Sequence, residues 1–238
     1  DARKSRGLGD VYKRQQFVML FNQAESSLAA EIDKFKPEGL DIAYLASRGI
    51  IKLRFDRNSV SKSDFDIFID KIDEIFSDDI LAYENISVEK ALGSLLAKND
   101  IKVSFVESIT GGLLSSLLVK NPGISKYFIG SDVVYGNQAK SILLNDNDID
   151  FENWEELCVN LTHSSLEKYK TDICLTILGE AGPLSSSKYA VGTIFICISN
   201  GDKTVITDHK MNGNREEILQ RSANKAQWEL IKFIKNLY

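Results

Sequence analysis

The sequence predicts a layered α/β fold, because patterns typical of strands and of helices alternate along most of the chain. The segment Asp172 to Leu178, "DICLTIL", is almost continuously apolar, as expected for a strand that is buried on both faces of a sheet. Two apolar segments then flank Asn200-Gly201-Asp202, which favours a β-hairpin. A last amphipathic helix is expected to begin at Asn214, with Glu217 placed for a capping box.

The region between residue 87 and these elements supports the same fold class. Apolar periodicity, N-cap residues and helix breakers predict a helix, a strand, a helix, a strand and two further helices, in that order. The predicted ranges are Val88 to Lys98 after the N-cap Ser87, Lys102 to Glu107, a helix that stops at Asn121-Pro122-Gly123, Tyr127 to Gly136, Asn137 to Leu144 and Trp154 to Tyr169.

The preceding part of the chain is predicted to form a separate small α+β module. An amphipathic pattern indicates a helix from Phe17 to Lys34. Two short strands follow, Leu40 to Ala46 and the alternating segment "IIKLRF". Ser61 can then cap a second helix that carries an apolar stripe. The expected order is therefore helix, strand, strand, helix.

These patterns divide the chain into a module over residues 16–84 and a larger domain over residues 85–238, joined by the weak linker "SDDILAYENIS". Lys52 and Arg54 of the module are expected on a solvated face of the sheet rather than on a binding surface.

The first fifteen residues differ in composition from the rest. They carry a net charge of +3, whereas the remainder of the chain is acidic. Their last six residues, "DVYKRQ", also match the translation of a transposase-end adapter used in sequencing libraries. We therefore interpret residues 1–15 as adapter-derived and leave them out of the fold prediction. The alternative is a basic native tail without fixed structure. On the adapter interpretation, the natural protein begins further upstream.

Composition excludes several classes of function. The net charge of −5 and the lack of a basic stripe interleaved with aromatic residues disfavour nucleic-acid binding. No apolar run approaches the roughly 20 residues that a membrane-spanning helix needs. Three separated cysteines and two histidines suit neither a disulfide framework nor a metal site. We expect a cytoplasmic protein that needs no metal or other cofactor.

One short segment, "ESITGG" from Glu107 to Gly112, places a serine, a threonine and two glycines between a predicted strand and a predicted helix. Glycines tolerate the dihedrals of a tight turn, and the first N–H groups of a helix have no partner within it. Such a turn can bind an anion or supply an oxyanion hole for a nucleophilic serine. It can equally serve only as a helix cap.

A nucleophilic serine needs a base, and histidine is scarce in this chain. Tyr135 and Lys140 follow the next predicted strand, and a desolvated lysine can accept a proton. The segment "GEAGP" begins at Gly179, directly after the buried strand, and Arg215 could pair with a phosphate. Taken alone, each of these residues could also be an ordinary surface residue.

Together these segments resemble the C-terminal domain of the CinA (competence- and damage-inducible protein) family, known as nicotinamide-nucleotide amidohydrolase. The family pattern runs approximately AESCTGG, GxxxYSNxAK, GxAGPxGG, PVGTV and GxR. The corresponding segments here are Val106 to Gly112, Gly130 to Lys140, Gly179 to Pro183, Ala190 to Ile194 and Gly213 to Arg215. The resemblance implies a three-layer α/β/α domain over about 145 residues. The preceding module resembles the KH-like domain of longer members, and their molybdopterin-binding-like N-terminal domain is missing from this sequence.

Carried over residue by residue, the resemblance implies that Ser108 is the nucleophile, Lys140 the base and Tyr135 a residue that assists or orients it. It implies hydrolysis of nicotinamide mononucleotide to nicotinate mononucleotide and ammonia, with a pyridine nucleotide as the small-molecule partner and a homo-oligomer as the assembly. The residues expected to hold substrate or an oxyanion are Thr110, Gly111, Gly112, Gly179, Ala181, Gly182 and Arg215.

The sequence departs from the family pattern at three places. Ile109 stands where the family has cysteine, which is tolerable if that side chain only packs. The glycine-rich continuation of GxAGP is replaced by "LSSSKYAVG", and a GAVS-like segment is missing around Asp150 to Trp154. Both changes could alter a loop that contacts substrate. The alternative hypothesis is therefore a non-catalytic domain that binds nucleotide or supports oligomerisation.

Overall fold

The computed structural model describes residues 15–21 and 23–237, and the chain divides into two units between Ser87 and Val88. The division that the sequence predicts lies three residues earlier, between residues 84 and 85. The interpretation of residues 1–15 as adapter-derived concerns a segment that lies, apart from Gln15, outside the described residues.

The first unit is built on a four-stranded antiparallel sheet with strand order β2-β3-β1-β4. Two helices, α1 and α2, accompany it. The elements are β1 (Gln15–Phe21), α1 (Glu25–Ile32), β2 (Ile42–Ser47), β3 (Ile50–Asp56), α2 (Lys62–Phe76) and β4 (Ile80–Ala82).

The helix predicted from Phe17 to Lys34 is wrong over its first part, because Gln15–Phe21 forms the strand β1 and only Glu25–Ile32 is helical. β1 pairs with β3 on one side and β4 on the other, and its last four residues are all buried. A short apolar run of this kind fits a buried strand as well as a helix, and periodicity cannot separate the two. Pairing with β3 and β4 therefore determines that this segment is a strand.

The segment interpreted as a linker also contributes to this sheet, because Ile80–Ala82 forms β4. The order of elements is therefore strand, helix, strand, strand, helix, strand, and the predicted order helix, strand, strand, helix is wrong at both ends. In β3, Ile51, Leu53 and Phe55 are buried, whereas Lys52 is half-buried and Arg54 is exposed. The alternation of this strand is as the sequence predicts.

The helix α2 packs an aromatic cluster against the sheet. The ring of Phe55 lies 5.8 Å from that of Phe65 and 5.7 Å from that of Phe68, both in edge-to-face geometry. The predicted cap is confirmed, because the side chain of Ser61 accepts a hydrogen bond of 3.1 Å from the backbone N–H of Asp64. The capped end fixes where the aromatic face of α2 begins.

The second unit is built on a five-stranded sheet with strand order β6-β5-β7-β8-β9. The first three of these strands are parallel, and β8 and β9 form the antiparallel hairpin that Asn200-Gly201-Asp202 predicts. The elements are α3 (Val88–Asn99), β5 (Val103–Glu107), α4 (Leu113–Leu118), β6 (Phe128–Val133), α5 (Asn137–Leu144), α6 (Trp154–Tyr169), β7 (Ile173–Gly179), β8 (Thr193–Ser199), β9 (Thr204–Lys210) and α7 (Arg215–Lys235).

Helices cover both faces of this sheet, which makes the three-layer α/β/α fold that the sequence predicts. α6 packs on one face with α5 beside it, and α7 packs on the other face with α3 and α4. The capping box predicted for α7 is present: Asn214 accepts from the backbone N–H of Glu217, whose carboxylate accepts from the backbone N–H of Asn214. Within the described residues, no helix is both long enough and apolar enough to cross a bilayer.

The strand register gathers the sequence motifs at one edge of the sheet. Glu107, at the end of β5, pairs with Val133 of β6 and Ile177 of β7, so these parallel strands end side by side. The antiparallel strand β8 begins at the same edge, where Ile194 pairs with Gly179. Ligands of open α/β sheets bind at the carboxyl ends of the strands. This edge is therefore the place to look for a site.

We expect the change Ser61→Ala to destabilise α2 by about 1 kcal/mol, because a backbone N–H at the start of the helix loses its acceptor. Native-state hydrogen exchange of peptides that cover α2 should accelerate by about fivefold. Ser63→Ala, at an exposed position of the same helix, is the matched control and should leave exchange nearly unchanged. Equal exchange in the two variants would contradict the capping role.

Candidate active site

The carboxylate of Glu107 organises the turn that follows β5. Glu107 is fully buried, and six donors surround its two oxygens. Oε2 accepts from the Thr110 hydroxyl at 2.7 Å, from the Gly112 N–H at 3.0 Å and from the Leu114 N–H at 2.9 Å. Oε1 accepts from the N–H and the hydroxyl of Ser115 and from the Ser131 hydroxyl.

These bonds place a negative charge at the start of α4, where the unpaired N–H groups of a helix favour an anion. They also fix the backbone of the turn, in which Gly111 and Gly112 have φ values of +57° and +97°. Those values lie in the left-handed region, which glycine adopts without steric cost. The serine that precedes the turn is tied to the sheet, because its N–H donates to the carbonyl oxygen of Ile177 at 3.0 Å.

In the structure, Ser108 therefore has a different role from the residues that follow it in the turn. The Thr110 hydroxyl and the Gly112 N–H bind Glu107, and the Gly111 N–H donates to the carbonyl oxygen of Ser108. None of these three residues lines the cavity described next. They hold Ser108 in place, and this geometry gives no support to the expectation that they contact substrate.

A cavity of about 340 Å³ lies at the edge of the sheet where the motifs meet. It collects residues from five separate segments of the second unit. Of the residues that the sequence singles out, those that line the cavity are Ser108, Tyr135, Lys140, Gly179, Ala181, Gly182 and Arg215. The structure thus brings the predicted nucleophile, the predicted base and the predicted phosphate ligand into one space.

Lys140 is the buried lysine of this cavity. Its side chain leaves α5, the residue is only 7% exposed, and burial lowers the pKa of its amine because desolvation disfavours the charged form. Nζ donates to Asn137 Oδ1 at 3.3 Å and to the backbone carbonyl oxygen of Tyr135 at 3.5 Å. Among the described residues, Ser108 Oγ is not one of its hydrogen-bond partners. Catalytic hydrogen bonds often tighten only when substrate binds.

Arg215 and Tyr135 link two of the loops around the cavity. The guanidinium donates from Nη2 to the Tyr135 hydroxyl at 2.7 Å and from Nη1 to the carbonyl oxygen of Gly182 at 2.5 Å. Tyr135 therefore meets Lys140 through its backbone carbonyl, and its hydroxyl faces Arg215. The arginine joins the loop after β6 to the loop after β7.

The two segments that depart from the family pattern meet each other. The carboxylate of Glu152 accepts from the backbone N–H of Lys188 at 3.2 Å, and the carbonyl oxygen of Glu152 accepts from the Tyr189 hydroxyl at 3.3 Å. The rings of Trp154 and Tyr189 lie 4.3 Å apart. Phe151, Glu152 and Trp154 also line the cavity. From the second segment, Leu184, Ser186 and Ser187 line it, so the two segments contribute adjoining parts of its wall.

The third departure, Ile109, is buried and packs against Gly179, and it also lines the cavity beside Ser108. The residue is 3% exposed, and a Cβ built on Gly179 would come within 2.8 Å of Ile109 Cδ1 and within 2.9 Å of the carbonyl oxygen of Thr193. Position 179 therefore needs glycine because β8 and the residue after Ser108 approach it closely.

No role is assigned from the sequence to three carboxylates in and beside the site. Glu107, Glu152 and Glu180 carry no role in the motif interpretation, although each stands within or beside a quoted segment. The available signal was a carboxylate within the apolar run that ends β5 and another within "GEAGP". No group of three or more His, Cys, Asp or Glu side chains in the described part of the chain is arranged to hold a metal ion.

Comparison with known proteins agrees with the family that the sequence motifs indicate. A family model described as "CinA C-terminal domain" matches residues 85–234. A CinA-like protein of Syntrophomonas wolfei is 32% identical over 90% of this chain and 53% of its own length. A CinA-like protein of Flavobacterium psychrophilum is 28% identical over 93% of this chain and 56% of its own length. The chain thus spans about half the length of these curated relatives.

Solved structures share the fold of the second unit. A competence-damaged protein (CinA) superfamily protein from Klebsiella pneumoniae superposes with a TM-score of 0.60 at 18% identity, over 63% of this chain and 96% of that one. A competence/damage inducible protein from Agrobacterium tumefaciens superposes with a TM-score of 0.53 at 23% identity, over 60% of this chain and 92% of that one. At these identities the likeness establishes the fold alone.

We expect Glu107→Gln to destabilise the second unit by about 3 kcal/mol, because either orientation of the amide places an NH₂ group against backbone or hydroxyl donors. Both tryptophans lie in this unit, so urea unfolding followed by tryptophan fluorescence measures the change. Glu167→Gln, which changes an exposed carboxylate of α6, is the control and should shift the midpoint little. Similar midpoints for the two variants would contradict the role of Glu107.

Proposed function

Because the chain belongs to the CinA family, in its C-terminal domain, we propose that it hydrolyses the carboxamide of nicotinamide mononucleotide to nicotinate mononucleotide and ammonia. One observation carries the proposal: Ser108 and a buried lysine with a lowered pKa line the same cavity. A serine needs a base for attack on an amide, and a desolvated lysine is a known alternative to histidine.

In the proposed reaction, Lys140 in its neutral form takes the proton of Ser108 while Ser108 Oγ attacks the carboxamide carbon. The tetrahedral intermediate expels ammonia, to which Lys140 returns the proton. Water then hydrolyses the acyl-enzyme with Lys140 again acting as the base, which restores Ser108 and releases the nicotinate product. In both halves of the reaction one proton passes through this amine, first from Ser108 to ammonia and then from water to Ser108, and the carboxylic acid that forms loses its own proton to solvent.

Backbone donors beside the serine support such an intermediate. Among the described residues, the N–H groups of Ile109 and Thr110 have no hydrogen-bond acceptor. Of these two residues, only Ile109 lines the cavity. Its N–H is the proposed donor to an oxyanion that develops next to Ser108, at a point in the turn that Glu107 holds rigid.

The phosphate of the nucleotide is assigned to Arg215. Two of the five N–H donors of its guanidinium bind Tyr135 and Gly182, which leaves three for an anion. These two bonds also orient the planar group before the ligand arrives, and that lowers the entropy cost of binding.

We predict that Ser108→Ala lowers kcat/KM for ammonia release by about 10³-fold or more, and that Lys140→Met lowers it by about 10²- to 10⁴-fold. The reason is loss of the nucleophile and of the base. Ser116→Ala and Lys120→Met, at exposed positions in and directly after α4, are the matched controls. A coupled assay for ammonia with nicotinamide mononucleotide measures all four variants.

The non-catalytic alternative makes the opposite prediction. A well-folded unmodified protein that binds the nucleotide and releases no ammonia would contradict the proposed reaction. Activity that survives in the Ser108→Ala variant would contradict the assignment of the nucleophile.

The pH dependence tests the base independently. Burial lowers the pKa of Lys140, so its neutral form becomes populated at a lower pH than that of a solvated lysine. Only the neutral amine can accept the serine proton, so kcat/KM should rise with pH and level off above the depressed pKa. We expect the rising limb in rates measured from about pH 6 to about pH 10. A rate that falls over this interval, in protein shown to remain folded, would contradict Lys140 as the base.

A further inference from the structure

The cavity holds two carboxylates that the proposed reaction does not use, those of Glu152 and Glu180. They differ in burial and in bonding. Glu152 is exposed, and its carboxylate accepts from the backbone N–H of Lys188 in the cavity wall. Glu180 is only 7% exposed. A carboxylate buried to this degree normally has each oxygen satisfied by hydrogen bonds or by a cation.

The backbone of Glu180 is fixed on both sides by the continuation of the β7–β8 ladder. Its N–H donates to the carbonyl oxygen of Thr193 at 3.0 Å, and its own carbonyl oxygen accepts from the Gly192 N–H at 2.6 Å. Its side chain is anchored through one oxygen only. Oε1 accepts from the N–H of Ser186 at 3.1 Å and from the Ser186 hydroxyl at 2.9 Å.

The second oxygen is left without a partner. Within the described residues, Oε2 of Glu180 accepts no hydrogen bond, and no ion pair joins Glu180 to a lysine or arginine. The two basic side chains that line the same cavity donate elsewhere, Lys140 to Asn137 and Tyr135, and Arg215 to Tyr135 and Gly182. Oε2 of Glu180 is not one of the fully buried polar atoms of the described residues, so it is accessible from the cavity. A carboxylate oxygen without a protein partner therefore faces the cavity, which favours a positively charged ligand group.

We infer that Glu180 selects the positively charged ring of the substrate, so that the site takes N-substituted pyridinium carboxamides in preference to uncharged amides. The inference rests on the proposed function and names its substrate class. The quaternary ring nitrogen has no hydrogen to donate, so the attraction is between charges. The indole ring of Trp154 and the phenyl ring of Phe151 line the same cavity, and aromatic faces also attract cations.

The charges of the cavity then match those of nicotinamide mononucleotide. Glu180 meets the cationic ring and Arg215 meets the phosphate, and Ser108 lies where the carboxamide has to react. An uncharged amide keeps the hydrogen bonds of the carboxamide and leaves the charge of Glu180 without a partner in the site, which costs binding.

Reduced nicotinamide mononucleotide is the matched probe, because it carries the same phosphate, ribose and carboxamide on an uncharged ring. Its affinity and that of the oxidised nucleotide are to be measured by calorimetry at about pH 8 in the Ser108→Ala background, where no turnover interferes. We expect the oxidised form to bind about tenfold or more tightly. Glu180→Gln in the same background should reduce this ratio to about one to two, mainly by weakening the oxidised form.

Two variants serve as controls. Glu156→Gln removes an exposed carboxylate from the first turn of α6 and should keep the tenfold preference. Glu180→Asp retains the charge and should keep most of it.

Equal affinity of the Ser108→Ala protein for the two forms overturns the inference without any change at position 180. A Glu180→Gln variant that weakens both forms alike also overturns it, because the residue would then act only through its bond to Ser186. These outcomes are separate from the proposed reaction, which depends on ammonia release by the unmodified chain. A protein that releases no ammonia and still shows the Glu180-dependent preference refutes the reaction and supports the inference.

Discussion

The six donors around the carboxylate of Glu107 are the constraint on which the geometry of the site depends. This carboxylate ties the end of β5 to the first turn of α4 and to Ser131 of β6, and it leaves Ser108 at the end of the strand with little freedom. A fully buried charge is tolerable only because each oxygen is saturated with hydrogen bonds. The rigidity of the turn and the burial of the charge therefore have the same cause.

The ionisable side chains of the cavity differ from Glu107, because their hydrogen-bonding capacity is not saturated. Lys140 and Glu180 are both largely buried, and neither is neutralised by a partner of opposite charge in the described part of the chain. For the lysine, this environment lowers the pKa and makes the amine available as a base. For the carboxylate, it leaves a negative field in the cavity. Ionisable groups that have no partner of opposite charge within the protein have most to gain from a ligand.

The sequence predicts the second unit better than the first, and the reason is physical. Long periodic helices such as α6 and the buried strand β7 leave patterns that survive without tertiary context. β1 does not, because its five apolar residues suit either structure until β3 and β4 supply their hydrogen bonds. In the site, Ser108 and Lys140 could be named from their motifs. The roles of Glu107 and Glu180 depend on which donors the fold brings to them, and spacing alone does not contain that information.

Two of the three departures from the family pattern lie about 35 residues apart in sequence and contact each other beside the cavity. The Glu152 carboxylate accepts from the backbone N–H of Lys188, and the Glu152 carbonyl oxygen accepts from the Tyr189 hydroxyl. The ring of Trp154 packs against that of Tyr189, and the ring of Phe195 contacts both in edge-to-face geometry. Unconstrained loss of a binding loop would leave unmatched side chains rather than paired ones. The mutual fit of the two segments therefore argues that this side of the cavity is an ordered structure rather than a degenerate loop. It is compatible with the proposed chemistry of Ser108 and Lys140.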